Sequence, residues 1–283
     1  MNPTALDTMM TDSATPRVSP LRDGESAKMS YSLSKVCAVV LLPLMVPVAA
    51  HAEPCRTQSF RGASYLVCSF DLTRDELRTY WRRGDGKPYR TFAALAEDLK
   101  GKGTSLRFAI NGGMYRHDFR PVGLYIENGR ELAPANTTTL TGAPRQIPNF
   151  YKKPNGVFYL GGNEAGILET GRFLAERPNA KFATQSGPML IIDGNIHPSF
   201  IVGSTDRKPR NGVGVSSPTK VHFVITKRWV NFHDFARFFR DGLGCDNALF
   251  LDGGRASGLY APELGRDDAP GHGGYGPIIA AVD

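Results

Sequence analysis

A chain of 283 residues with 41% hydrophobic and 22% charged side chains has enough apolar material for a sizeable core, which excludes a disordered or fibrous protein. The net charge of +7 favours anionic partners such as phosphorylated glycans or membrane surfaces. No run of clustered Lys and Arg with interleaved aromatics accompanies it, so nucleic acid is not an expected partner.

The first element is an apolar run from Val36 to Ala50, followed by Ala50-His51-Ala52 with small residues where a signal peptidase reads. At roughly 15 residues and with two prolines it is too short to span a bilayer, so it reads as a signal peptide cut before Glu53, leaving no stable membrane span. The signal then occupies 29–52 with translation beginning at Met29, and residues 1–28 are an upstream extension. The 231 residues from Glu53 keep the net charge of +7, because four basic and four acidic side chains leave together. Location is therefore periplasmic or secreted. Cys55 and Cys68 flank a segment that reads as a hairpin turning at Arg61-Gly62-Ala63, which sets the two cysteines opposite each other for a disulfide in an oxidising compartment. Cys245 reads as a small core residue.

Farther along, Thr91 caps a predicted helix from Phe92 to Lys100, ended by Gly101 and Gly103. Leu106 to Ile110 reads as a strand stopping at Asn111-Gly112-Gly113, and Val122 to Ile126 as a strand entering an Asn128-Gly129 turn. Residues 133–149 are polar and read as a long loop over the site. Strands follow at Gly156 to Leu160 and Pro188 to Ile192, the latter entering an Asp193-Gly194 turn. The last unit is a strand from Val221 to Thr226, a helix from Phe232 to Asp241 capped by Asn231, and a strand from Ala248 to Leu251. Strand, helix and strand make a right-handed βαβ crossover with the last strand parallel to the first. The expected fold is α+β: one domain over 53–283 with a mixed, largely antiparallel sheet core, flanking helices and a C-terminal βαβ unit.

Ligands bind beyond the carboxyl ends of strands in such a unit, and Asp252 stands at one, followed by Gly253 and Gly254, whose expected positive φ brings backbone amides close to a ligand. Four Gly-rich turns recur along the chain: Asn111-Gly112-Gly113-Met114-Tyr115, Ser186-Gly187-Pro188-Met189-Leu190 with Asp193-Gly194, Arg210-Asn211-Gly212-Val213-Gly214, and Asp252-Gly253-Gly254 with Ser257. In this order, over residues 105–260, they resemble the phosphodiester glycosidase family, and within it the exported bacterial branch. The chain departs from the family pattern in two places: Arg255 and Ala256 stand before Ser257 where the family has Asp-Gly-Gly-Gly-Ser, and Asn211 replaces the threonine of Arg-Thr-Ala-Ile-Gly.

The resemblance implies an exported hydrolase that cleaves a glycosyl phosphodiester or a related cell-envelope glycan linkage. A phosphodiester is already a weak base as a leaving group, so one carboxylate and good anion binding suffice where most glycosidases need two carboxylates. Asp252 is then the base or nucleophile, Asn111 and Arg210 complete the catalytic set, and Arg210 holds the phosphate with its guanidinium fork, with Arg255 as a second candidate. Tyr115, Ser186, Gly187, Asn211, Gly253, Gly254, Arg255 and Ser257 are the expected substrate-binding residues. His117, His197, His222, His233 and His272 lack metal-ligand spacing, so neither metal nor cofactor is expected. The competing readings are a glycan-binding module and an envelope assembly protein on the same fold.

Overall fold

The computed structural model describes residues 53–226 and 228–283, which belong to one compact unit. The expected signal peptide, the upstream extension and Cys37 lie outside the described residues.

Three sheets surround a common core. The largest has seven strands in the order Cys55–Phe60, Ala63–Asp71, Lys220–Thr226, Asn211–Ser217, Asn247–Phe250, Met189–Ile192 and Asn195–Ile196. The second runs Arg266–Asp267, Leu259–Ala261, Leu106–Asn111, Ile278–Val282, Glu76–Tyr80, and the third Arg130–Ala133, Tyr125–Glu127, Phe182–Ser186, Gly156–Gly161, Glu164–Glu169. Side chains alternate along each strand, so each sheet has an inner and an outer face. Leu66, Cys68, Phe70, Phe108, Ile110, Phe158, Leu160, Phe223, Ile225, Ile279 and Ala281 point into the central core, where all three sheets meet. The outer faces carry separate clusters, each under one helix: Phe232–Arg237 over the first sheet, Phe92–Gly101 over the second and Thr170–Glu176 over the third. This is the expected α+β fold.

The hairpin register is as read: Cys55 pairs with Cys68 across the strands, the turn residues Arg61 and Gly62 take φ of 50° and 79°, and the two cysteines form a disulfide. Thr91 and Asn231 cap their helices, each side chain accepting a backbone amide three residues on. The C-terminal unit is less simple than a bare βαβ. Strands Lys220–Thr226 and Asn247–Phe250 do run the same way, but Asn211–Ser217 lies between them and pairs antiparallel with both, so every described ladder is antiparallel. Glycines make the middle strand compatible with a helix above it: a Cβ at Gly214 would lie 2.5 Å from the Phe239 ring and 2.7 Å from Cys245 Sγ. The helix itself ends at Arg237 and continues as a wider turn over Phe238–Gly242. The strand expected from Val122 begins instead at Tyr125, because the Leu124 amide is taken by the Gln185 side chain (2.9 Å) rather than by a neighbouring strand.

Candidate active site

Four chain segments arrive at one place from three sheets. Strand Leu106–Asn111 ends there, as do Phe182–Ser186 and Asn247–Phe250, while Asn211–Ser217 begins there. Backbone bonds tie the ends together: Leu251 N to Asn211 O (3.2 Å), Asp252 N to Gly112 O (3.3 Å), Phe250 N to Pro188 O (3.1 Å) and Gly254 N to Pro209 O (3.1 Å). The four Gly-rich turns of the sequence are therefore neighbours in space. Their glycines allow the backbones to touch: a Cβ at Gly113 would stand 2.3 Å from Gln185 O, and one at Gly187 would stand 2.6 Å from Asn155 Cβ.

Asn111 is the clamp of this junction. It is 1% exposed. Its Oδ1 accepts from Asn211 Nδ2 (2.7 Å) and Gly258 N (3.0 Å), and its Nδ2 donates to Asp252 O (2.7 Å). One short side chain thus fixes both ends of the 252–258 turn. That commits its amide to the protein.

Asp252 is the contrast. Part of the residue faces solvent, yet no hydrogen bond or ion pair reaches its carboxylate among the described residues, and burial alone pushes its pKa up to about 7. An uncompensated carboxylate in a desolvated setting holds its proton more tightly, because nothing there replaces the lost hydration of the charge. The nearby Tyr115 hydroxyl is shifted upward, first by its own burial and then by the negative charge of Asp252. Tyr115 shares a 2.6 Å hydrogen bond with His272 Nε2, donates to Gly274 O (2.7 Å), and its ring stacks with His272 and Phe119. His272 lacks metal-ligand spacing, and its Gly-rich surroundings, Gly271 to Gly276, are the one sequence signal that sets it apart from the other histidines.

Three expected binding residues share a property. Ser186 Oγ, Asn211 Oδ1 and Ser257 Oγ are buried side-chain atoms without a hydrogen-bond partner. Buried polar atoms are nearly always paired; among the described residues Tyr80, Arg107 and His233 carry the other unpaired ones, and Ser186, Asn211 and Ser257 are the three that belong to residues of one junction. The two glycines after Asp252 differ in role. Gly254 has φ 65° and spends its amide on Pro209, whereas Gly253 has φ −90°, so positive φ is not what requires glycine there. A Cβ at Gly253 would stand 2.5 Å from the Phe250 ring, and that lack of space is the reason. Arg255 is exposed and donates to Gly271 O (2.9 Å).

No ion pair connects Arg210 to Asp252. The Arg210 side chain is 2% exposed, with the guanidinium carbon 3.5 Å from the Phe232 ring centre and 5.8 Å from that of Phe250. Nε donates to Val230 O (2.8 Å) and Nη2 to Asp206 O (3.2 Å), and burial lowers its pKa to about 10. It lines a cavity of about 880 Å³ whose wall includes Thr139, Leu140 and Arg145 from the long loop. Gln185 anchors the loop through Asn136 N and O, both at 2.9 Å. Among the described residues no group of three His, Cys, Asp or Glu forms a metal centre, and no helix is long and apolar enough to cross a membrane.

The phosphodiester glycosidase family model matches residues 104–276, the span that contains all four turns. The uncharacterized protein YigE of Escherichia coli strain K12 is 33% identical over 216 residues, which are 76% of this chain and 80% of that protein. Among solved structures, the catalytic domain of zebrafish N-acetylglucosamine-1-phosphodiester alpha-N-acetylglucosaminidase, auto-inhibited by its pro-peptide, superposes with a TM-score of 0.52 at 14% identity, covering 80% of each chain, a likeness of fold. With its turns brought to one junction and its sequence matched over that same span, the chain belongs to the phosphodiester glycosidase family.

Proposed function

We propose that the protein hydrolyses a glycosyl phosphodiester, with Asp252 as the general base. The observation that carries this reading is the Asp252 carboxylate, unpartnered and with its pKa raised to about 7, beside three orphaned polar atoms. A base works best when its pKa lies near the operating pH, whereas a carboxylate nucleophile attacks only when ionised, and a pKa near 7 leaves a large fraction protonated. In this scheme Asp252 takes a proton from water as the water oxygen bonds to the anomeric carbon. The bond from that carbon to the phosphate oxygen breaks, and its electron pair leaves on the phosphate, which needs no protonation. Attack by water in one step inverts the anomeric configuration.

Ser186, Asn211 and Ser257 supply donors and acceptors to the sugar or phosphate, the Gly253 amide adds a donor, and Tyr115 forms one wall. Gly187 and Gly254 keep the backbones close, and Arg255 stands at the outer edge. Asn111 acts by holding the 252–258 turn. Arg210 carries the positive charge on the phosphate side. A disulfide between Cys55 and Cys68 supports an oxidising compartment, periplasmic or extracellular, and a phosphorylated cell-envelope glycan is the substrate class this reading assigns.

The test is hydrolysis of a panel of sugar-1-phosphodiesters by the purified protein and by Asp252→Asn. A loss of about 10²- to 10⁴-fold in the variant is expected for removal of a general base. Turnover that survives the substitution refutes the role of Asp252, and absence of turnover on every member of the panel favours a glycan-binding module.

A further inference from the structure

The cavity beside Arg210 carries more positive charge than one scissile phosphate requires. Five cationic side chains line it, Arg145, Lys152, Lys153, Lys208 and Arg210, and Asp206 is the one carboxylate among its lining residues. Asp206 lies 3.2 Å from Lys208 Nζ and 3.9 Å from Arg210 Nη2, with 58% of its side chain exposed. Lys152 and Lys153 donate to amide oxygens, Asn149 Oδ1 at 2.9 Å and Asn155 Oδ1 at 3.1 Å, and neither makes an ion pair among the described residues; Lys152 also lies 5.8 Å from the Phe232 ring centre, and Glu169 acts on Lys153 only through its more distant charge. Only 2% of the Arg210 side chain is exposed, and its Nη1 has no hydrogen-bond partner among the described residues.

Charges packed this way are costly without a counter-ion. Lys152 shows it: burial lowers its pKa most, Asp206 opposes that, and the like charges of Arg210 and Lys208 lower it further. A bound anion relieves both repulsion and desolvation. The volume of about 880 Å³ is in the range that holds a ligand of drug size, far beyond a single phosphate group. Phe232 forms an apolar wall under Arg210. The segment that brings Arg210 to the cavity is tied to the Asp252 turn one residue earlier, where Pro209 O accepts the Gly254 amide at 3.1 Å.

We propose that this cavity binds a second phosphate on the far side of the scissile bond, so that the substrate is a glycosyl phosphodiester whose leaving group is itself phosphorylated. Sugar diphosphate esters and chains of sugars joined by phosphates both have this chemistry. The proposal rests on the reading of Asp252 as the residue that acts on a glycosyl phosphodiester, and the cavity's part is tested separately by binding.

The probe is tripolyphosphate, titrated calorimetrically at fixed ionic strength into the wild-type protein, into Lys152→Gln/Lys208→Gln, and into Lys152→Arg/Lys208→Arg. One site per chain is expected, weakened about tenfold or more in the glutamine pair, which loses two charge-assisted contacts, and restored in the arginine pair. Thermal midpoints of the variants verify folding. Absence of binding to the wild type, or equal affinity in the wild type and the glutamine pair, overturns the proposal. The second readout is the ratio of kcat/KM for a nucleotide sugar to that for a sugar-1-phosphodiester with an uncharged leaving group. The ratio exceeds one in the wild type and falls about tenfold in the glutamine pair; a ratio unmoved by the substitutions also overturns the proposal. If tripolyphosphate binds as expected while no glycosyl phosphodiester is hydrolysed, the anion site stands and the glycosidase reading fails.

Discussion

Replacing Asp252 with asparagine changes how stability depends on pH, in a direction opposite to the loss of a salt-bridged carboxylate. Burial raises the Asp252 pKa from the ordinary 3.8 to about 7. A carboxyl with a higher pKa folded than unfolded makes the native state bind more protons, so stability falls as pH rises between those two values. The difference is about three pKa units, and at 1.36 kcal/mol per unit the ionised carboxylate costs the fold about 4 kcal/mol above pH 7. Below pH 4 both states are protonated and the cost vanishes. Asparagine has nearly the same shape and carries no charge at any of these values. The stability of Asp252→Asn relative to wild type is therefore expected to rise by about 4 kcal/mol between pH 4 and pH 8, a relative gain in Tm on the order of 10 °C for a domain of this size. Thermal denaturation of both proteins at pH 4, 6 and 8, at constant ionic strength, measures it. Curves that stay parallel across this range refute a desolvated Asp252, and with it the physical basis for a base near pH 7. The same titration predicts that kcat/KM of the wild type rises with pH to a plateau above about 7.

Two further outcomes follow from the clamp and the hairpin. Asn111→Ala removes three hydrogen bonds within a buried junction and leaves Asn211 Nδ2 and the Gly258 amide unpaired, at a cost of about 2–4 kcal/mol in urea denaturation, with turnover reduced through displacement of the Asp252 turn. Replacing both Cys55 and Cys68 with serine opens a loop of sequence separation 13 and lowers stability by about 3 kcal/mol, again measured in urea.

Much of this architecture is legible in the sequence where the determining forces are local. The Arg61-Gly62, Asn128-Gly129 and Asp193-Gly194 turns announce themselves because few residues tolerate positive φ, and the first of them fixes the register that joins Cys55 to Cys68. Thr91 and Asn231 are visible as caps for the same reason of short range. The strand Ile278–Val282 passes unnoticed. It lies between two other strands with every residue buried, so it shows no alternation of polar and apolar residues, and its partners Leu106–Asn111 and Glu76–Tyr80 are far away in the chain. Asn111 can be singled out from its motif, but its commitment to Asn211, Asp252 and Gly258 depends on contacts 100 to 147 residues apart. The cationic cavity is hidden for a similar reason, since Lys152, Lys153 and Lys208 belong to two loops that meet only in the fold.

The junction explains why a carboxylate ends an apolar strand here. Where strands from three sheets stop, backbone groups lose their ladder partners and must find others. Asn111 and Gln185 meet part of that need with every polar atom of their amides in use: Gln185 Oε1 accepts from Leu124 N and Asn136 N, while Nε2 donates to Asn136 O and Thr170 Oγ1. Asp252 sits in the same junction and is left unpartnered, although another amide or hydroxyl at this position would remove a penalty of about 4 kcal/mol at neutral pH. The pairing of the Asn111 and Gln185 amides shows that hydrogen-bond partners are attainable at this junction. The uncompensated charge, together with the orphaned Ser186, Asn211 and Ser257, is the kind of local conflict that persists at functional sites and is offset elsewhere, here by the apolar core shared by the three sheets.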